Sequence, residues 1–164
     1  MKVSANTVPL KVKQSIRNFK VTGMAKGDSV KSWKSSNTKI VKVSGKANGT
    51  CKISAQKRTG TARITITLKS GLKKTIKIKV QKSAVKTTKI TGVKSALTLK
   101  KGAKTTLKPV RTPFTSGEKI TYTSSNKNVA TVSSIGVITA KKAGTAVITV
   151  KSGSKKVTCK VTVK

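Results

Sequence analysis

The sequence predicts an all-β protein made of two tandem β-sandwich domains. Three observations favour this fold class. Apolar residues make up 35% of the 164 residues, mostly Val, Ile, Leu and Ala beside abundant Ser and Thr, a mixture typical of strands. Short segments alternate between apolar and polar residues and are separated by regular turn signals, which is the pattern of sandwich strands. The chain also carries an internal repeat.

The repeat is clearest around a Ser-Ser-Asn stretch that occurs twice. Ser35–Asn37 in the first half corresponds to Ser124–Asn126 in the second. This alignment pairs Trp33 with Tyr122, the bulky residue two positions before the serines. The same structural unit is therefore predicted to be encoded twice.

A second anchor fixes the extent of each copy. Gly60–Ala62 corresponds to Gly144–Ala146, and the first copy carries extra residues around Gly45 to Cys51. A surface loop would absorb such an insertion at a small entropic cost. We place the two domains at residues 1–83 and 84–164, with the boundary near "QKSAVKT".

Individual strands follow from strict alternation. In "TCKIS", Cys51 and Ile53 share one face. In "TIKIKV", residues 75–80, the aliphatic side chains point one way and the lysines the other. In "TCKVTV", residues 158–163, Cys159 lies on the apolar face. Both cysteines are therefore predicted to be small, reduced core residues.

Turn signals separate these strands, and no segment shows the 3.6-residue period of a helix. The signals are dipeptides with a glycine in second place, which suit tight turns. They are Asn48-Gly49, Ser70-Gly71, Lys101-Gly102, Ser116-Gly117 and Ser152-Gly153.

Two interpretations of Trp33 and Tyr122 are open. The alternation around them favours a bulky core residue that fills the middle of each sandwich. The alternative is an exposed platform on which a sugar ring stacks. Asn37 and Asn126 are interpreted as turn or strand-end residues rather than binding groups.

Charge is the extreme property of this chain. It has 38 Lys plus Arg against two acids, for a formal net charge of +36. Such a surface attracts polyanions, although a solvated lysine coat that only keeps the protein soluble explains the same composition. Nucleic acid should bind only non-specifically and in a salt-sensitive manner, because aromatic residues for base stacking are only 2% of the chain.

The residue inventory argues against an enzyme. The chain has no His, and its two acids, Asp28 and Glu118, fall in different copies. General acid–base chemistry, a Ser-His-Asp triad and a calcium site all lack the side chains they need. Two cysteines in different copies offer no metal site. We therefore predict no catalytic, cofactor-binding or metal residues.

The repeat pattern W/Y-x-S-S-N … V-x-V … G-x-(I)-T-A-x-x-x-G-T-A-x-I-T-V resembles the bacterial Ig-like group 2 domains, the Big2 family. The second copy carries it at Tyr122, Ser124, Ser125, Asn126, Val129, Val132, Gly136, Val137, Thr139, Ala140, Gly144, Thr145, Ala146, Ile148 and Val150. The first carries it at Trp33, Ser35–Asn37, Val41, Val43, Ala55, Gly60–Ala62, Ile64 and Ile66, and departs from it between Gly45 and Ile53.

The resemblance implies two tandem Ig-like β-sandwich domains from a bacterial surface protein, without shared catalytic residues. We expect a non-enzymatic structural or adhesion segment that spaces or presents a functional module. The alternative is a polyanion-binding module, for cell wall or glycan, attached to a wall-acting enzyme. Any specific recognition is expected in loops that differ between the copies, such as Gly45 to Thr50.

The remaining expectations concern partners and location. Anionic cell-wall polymers, host surface glycans or host proteins are the expected partners, and the chain is expected to be a monomer. It has no apolar run long enough to span a membrane. We expect it to be an extracellular or cell-surface piece of a longer exported protein.

Overall fold

The computed structural model describes residues 1–164, which form strands, turns and loops and no helix. Two compact units divide the chain, Met1–Val85 and Lys86–Lys164. Each has its own sheets and its own core. The all-β sandwich fold predicted from the sequence is confirmed.

The first unit contains nine strands in three sheets. The larger sheet has the order β2-β9-β8-β5, the smaller has the order β3-β7-β6, and β1 pairs with β4. All pairs are antiparallel except the parallel pair of β2 and β9. The strands are β1 Lys2–Val3, β2 Thr7–Lys11, β3 Ser15–Ile16, β4 Val21–Thr22, β5 Val30–Ser35, β6 Val41–Gly45, β7 Cys51–Ala55, β8 Gly60–Leu68 and β9 Lys73–Gln81.

The second unit repeats this topology strand for strand. Its sheets have the orders β11-β18-β17-β14 and β12-β16-β15, and β10 pairs with β13. The pair of β11 and β18 is again the parallel one. The strands are β10 Lys89–Thr91, β11 Ala96–Leu99, β12 Lys104–Thr106, β13 Val110–Thr112, β14 Ile120–Ser124, β15 Ala130–Val132, β16 Val137–Ala140, β17 Gly144–Ser152 and β18 Lys155–Val163.

A long hairpin forms the centre of the larger sheet in each unit. In the first unit β8 and β9 are nine residues each, and every second side chain of β9 from Ile76 to Val80 is buried while Lys77 and Lys79 are exposed. The alternation predicted for this segment is confirmed. Removing each aliphatic side chain from water contributes about 1.5–3 kcal/mol, so this face supplies much of the core energy.

The corresponding hairpin, β17 and β18, organises the second core. The buried residues of that core come from all three sheets and the loops between them, and all except Cys159 are aliphatic. They are Ile90, Leu107, Val129, Ala130, Ile138, Ala140, Ala146, Ile148, Val150, Cys159, Val161 and Val163.

Trp33 and Tyr122 lie on the outermost strands, β5 and β14, and are only half-buried. Tyr122 packs against the buried core, as the core interpretation expected, but neither ring fills the middle of its sandwich. Each ring instead lies directly against a glycine: a Cβ on Gly45 would be 2.2 Å from Trp33 Nε1, and one on Gly136 would be 2.9 Å from Tyr122 Cζ. In each unit the aromatic ring and the glycine pack against each other at the edge of the core, and a residue larger than glycine would not fit there.

The two cysteines occupy the core positions that alternation assigned to them. Cys51 and Cys159 are free thiols and buried. Burial raises the pKa of the Cys51 thiol to about 11 and also raises the pKa of Cys159. Since the thiolate is the reactive form, both should be inert in the folded protein.

This burial predicts slow modification by a thiol reagent. In native buffer near neutral pH, neither thiol should react on the timescale on which free cysteine does, and both should react after denaturation. The measurement is the time course of thiol labelling followed by intact mass. Rapid native labelling of either cysteine would contradict the strand register at that position.

The aromatic–glycine contact predicts a steric penalty for Gly45→Ala. The added methyl must displace the Trp33 ring, and such overpacking costs about 1–3 kcal/mol of unfolding free energy. Gly117→Ala is the matched control, because a Cβ there meets nothing within 4 Å. Urea unfolding should separate the two variants, and equal stabilities would contradict the close packing at Gly45.

Candidate functional site

The first Ser-Ser-Asn stretch forms a hydrogen-bonded corner after β5. The Asn37 N–H donates to Ser35 Oγ at 3.3 Å, and Asn37 Oδ1 accepts from the Lys39 N–H at 3.0 Å. Ser36 Oγ accepts from the Arg63 N–H of β8 at 2.9 Å. All three side chains are thus engaged with backbone groups, as in turns stabilised by Asn and Ser.

The second stretch makes the same bonds after β14. The Asn126 N–H donates to Ser124 Oγ at 3.3 Å, and Asn126 Oδ1 accepts from the Asn128 N–H at 3.0 Å. Ser125 Oγ accepts from the Val147 N–H of β17 at 2.8 Å. The interpretation of both asparagines as turn residues is confirmed, and the most recognisable motif of the chain is part of the scaffold.

The carboxylate of Asp28 ties the chain before β5 to the turn between β8 and β9. Its Oδ1 accepts from the Ser29 N–H at 2.8 Å and the Ser70 N–H at 3.2 Å, and its Oδ2 accepts from Ser70 Oγ at 2.7 Å. The Ser70 hydroxyl is the main cause that lowers the pKa of Asp28.

Glu118 occupies the equivalent place in the second unit, two residues before β14. Its Oε2 accepts from the Thr87 N–H at 2.7 Å, which is the main cause that lowers the pKa of this carboxyl. The carboxylate lies against the turn between β17 and β18, since a Cβ on Gly153 would be 2.2 Å from Oε2. Each acid therefore lies at the turn end of a central hairpin, and Asp28 is the one that is hydrogen-bonded to the turn itself.

A buried polar cluster surrounds Glu118. The Thr87 hydroxyl lies 2.9 Å from both Ser116 Oγ and Ser152 Oγ, and these three residues are buried. Arg111 donates to the Glu118 carbonyl oxygen. The hydroxyls satisfy one another, as buried polar groups must, and the arrangement contains no activated nucleophile.

The lengthened loop of the first unit packs onto its own strands. The carbonyl of Gly49 accepts from the Val21 N–H at 2.9 Å, and that of Ala47 accepts from the Val30 N–H at 2.8 Å. Asn48 Oδ1 accepts from the Thr50 N–H at 3.1 Å. These bonds give the loop a defined shape, and its expected role in recognition stays a prediction.

A shallow depression on the larger sheet of the first unit is strongly cationic. It has a volume of ≈ 760 Å³ and its lining includes the four lysines Lys31, Lys34, Lys69 and Lys73. Its lining also includes Leu68, Gly71 and the hydroxyl side chains of Ser32, Ser35, Ser36, Thr65 and Thr67. This set was not singled out from sequence, because only the pairing of β5, β8 and β9 brings it together.

Other kinds of site lack the necessary groups. No three His, Cys, Asp or Glu side chains lie together where they could hold a metal ion. None of the chain forms a helix long and apolar enough to cross a membrane.

Comparison with known proteins agrees with the repeat pattern. The sequence model described as bacterial Ig-like domain (group 2) matches residues 85–161. This confirms the predicted family for the second copy. For the first copy the family remains a prediction from the shared pattern and topology.

One curated relative and several solved structures are similar to the chain. The kappa-carrageenase of Pseudoalteromonas carrageenovora is 54% identical over 59 residues, which are 35% of this chain and 15% of the carrageenase. Domains 5–6 of the S-layer protein SbsC are 21% identical with a TM-score of 0.47, over 99% of this chain and 96% of that one. The longer SbsC(31–844) is 25% identical with a TM-score of 0.46, over 88% of this chain and 21% of that one.

The two carboxylates predict a simple acid dependence of stability. Hydrogen bonds lower each folded-state pKa below the ordinary values of 3.8 for Asp28 and 4.5 for Glu118. The unfolded chain therefore binds protons first, so the stabilisation is complete above these values and is lost as pH falls below them.

Thermal unfolding as a function of pH measures this effect. The midpoint should fall on acidification in the unchanged protein, and Asp28→Asn and Glu118→Gln should each flatten the profile. Ser70→Ala is a second check, because it removes the hydroxyl donor of Asp28. An unchanged acid profile in the double variant would show that the two carboxylates do not stabilise the hairpins.

Proposed function

We propose, from the membership of residues 85–161 in the family of bacterial Ig-like domains (group 2), that this chain is a non-enzymatic structural or adhesion segment of an exported bacterial cell-surface protein. It spaces or presents a functional module carried elsewhere in the polypeptide. Fold alone never fixes function, so the support must come from the residues.

The observation that supports the proposal is that the repeated polar residues are hydrogen-bonded within the fold itself. Both Ser-Ser-Asn stretches bond backbone groups at a strand corner, Asp28 bonds Ser70 in a hairpin turn, and Glu118 bonds Thr87. The repeated residues thus build the unit and leave no constellation for catalysis. Each unit also has its own core, as a spacer composed of independent modules requires.

A second candidate function is binding of an anionic polysaccharide as a module attached to a polysaccharide- or wall-acting enzyme. The net charge of +36 favours it, because such a surface attracts polyanions. The 54% identity to part of a kappa-carrageenase supports the same association of such a module with an enzyme. The matched region is 15% of that enzyme, so its activity is not carried over to this chain.

Protease accessibility on intact cells tests the first proposal. Trypsin added outside should digest the lysine-rich units in the full-length protein without lysis, while a cytoplasmic marker stays intact. Digestion that requires lysis would contradict a surface location.

Retention on a sulfated polysaccharide tests the second candidate. The 164-residue chain should bind immobilised dextran sulfate at about 0.15 M salt, where charges farther apart than about 8 Å are screened, and should not bind uncharged dextran. Complete elution at that salt would reject the binding function and leave the spacer function standing.

A further inference from the structure

We infer that the outward face of the sheet β2-β9-β8-β5 in the first unit is a binding surface for a linear sulfated polysaccharide. We call this surface the cationic face and define it by Lys34, Arg63, Lys73, Lys77 and Lys79. The inference rests on the second candidate function and assigns it to one side of one unit.

Strand register places these cations on one side of the sheet. Arg63 on β8 is paired with Lys77 on β9, and Lys34 on β5 is paired with Thr65 on β8. Thr65 and Thr75 are paired on the same two strands, and their hydroxyls lie 3.3 Å apart. Their side chains therefore point to the same side of the sheet as those of Arg63 and Lys77, two residues away along each strand. All five cationic side chains are exposed.

The spacing suits an extended chain of anionic groups. Alternate residues along a strand are about 6.8 Å apart and neighbouring strands about 4.8 Å apart. Lys73, Lys77 and Lys79 therefore extend over about 20 Å of β9. Arg63 and Lys34 widen this row across the sheet. Arginine contributes a planar fork of donors that matches a sulfate or phosphate group.

The protein itself cannot neutralise the cationic face. Its two acids, Asp28 and Glu118, accept hydrogen bonds from Ser70 and Thr87 and do not face these cations. Like charges on directly paired residues, such as Arg63 and Lys77, destabilise a sheet. An anionic ligand would relieve this repulsion, so binding should also raise the thermal stability of the folded chain.

The chemistry of the adjoining depression favours a polysaccharide over other polyanions. Ser32, Thr65 and Thr67 contribute hydroxyls that can both donate and accept hydrogen bonds, which suits sugar hydroxyls. Its lining contains no aromatic ring for base stacking. Its one large apolar residue, Leu68, is buried in the core rather than available to a lipid surface.

The second unit provides an internal comparison. Its register places Thr123 where the first unit has Lys34, Val147 where it has Arg63, and Thr162 where it has Lys79. Only the positions of Lys73 and Lys77 keep a lysine. The same scaffold therefore forms without three of the five cations, so the fold does not require the cationic face.

The experiment exchanges those three residues for their counterparts. K34T/R63V/K79T should lower the affinity of the full chain for dextran sulfate by about tenfold or more at about 0.15 M NaCl, because three cations that contact the polymer are lost. The dependence of the affinity on salt concentration should fall as well. The matched control R17V/K42T/K52T removes the same residue types from exposed positions on or beside the smaller sheet. It should change the affinity by less than about twofold.

A reciprocal variant keeps the first unit intact. T123K/V147R/T162K builds the same set of cations on the second unit and should increase the amount of dextran sulfate bound per chain. Circular dichroism and thermal unfolding confirm that each variant is folded before binding is compared.

The outcomes distinguish the inference from the function on which it rests. Equal losses in the exchange and control variants would overturn the cationic face and leave general polyanion binding standing. Absence of binding by the unchanged protein would overturn both. Equal affinity for single-stranded DNA or for anionic phospholipid vesicles at the same salt would overturn the polysaccharide as ligand.

Discussion

The register of the central hairpin is the constraint on which each unit depends. In β8 and β9, as in β17 and β18, one face is aliphatic and the other carries lysine, arginine and threonine with a few apolar exceptions. A slip of one residue would reverse the faces and bury cations in place of isoleucine and valine. Asp28 is hydrogen-bonded to Ser70 in the turn between β8 and β9, whereas Glu118 lies against the turn between β17 and β18 and is hydrogen-bonded to Thr87, which precedes β10. Core packing and electrostatics therefore fix the same register.

The same segregation produces the unusual surface. Because alternation sends apolar side chains inward, nearly all of the 38 basic residues face water, and the two acids are used within the scaffold. The core of each unit is aliphatic, and its surface charge is left without enough acids to balance it. This imbalance is the basis of the proposed association with an anionic polymer. The uneven charge of the two larger sheets indicates where such a polymer would lie.

Much of this fold is predictable from sequence, because alternation and a repeat are local signals. The burial of Cys51 and Cys159 and the turn role of Asn37 and Asn126 all follow from them. The partial exposure of Trp33 and Tyr122 does not follow from them. Alternation shows which face of a strand a residue occupies, but not whether that strand is at the centre or the edge of its sheet. The cationic face could not be predicted from the sequence either, because it depends on which residues of separate strands are paired.

The equivalence of the two acids was hidden by a change in spacing. Ser35 and Ser124 are 89 positions apart, whereas Asp28 and Glu118 are 90 apart (118 − 28). Strand β5 contains a register shift between Val30 and Ser32. Residues before the shift, such as Asp28, are therefore 90 positions from their counterparts, and residues after it, such as Ser35, are 89 positions from theirs. A repeat alignment without gaps therefore fails to pair these two carboxylates, although each lies two residues before the corresponding strand.

Amide hydrogen exchange with and without dextran sulfate would show which of the two units contacts the polymer. We propose that two units of one topology differ in function because their outward faces differ. The polymer should slow exchange in β5, β8 and β9 of the first unit and leave β14, β17 and β18 nearly unchanged. Equal protection of both hairpins would contradict the account, because it would show that the polymer responds to total charge alone.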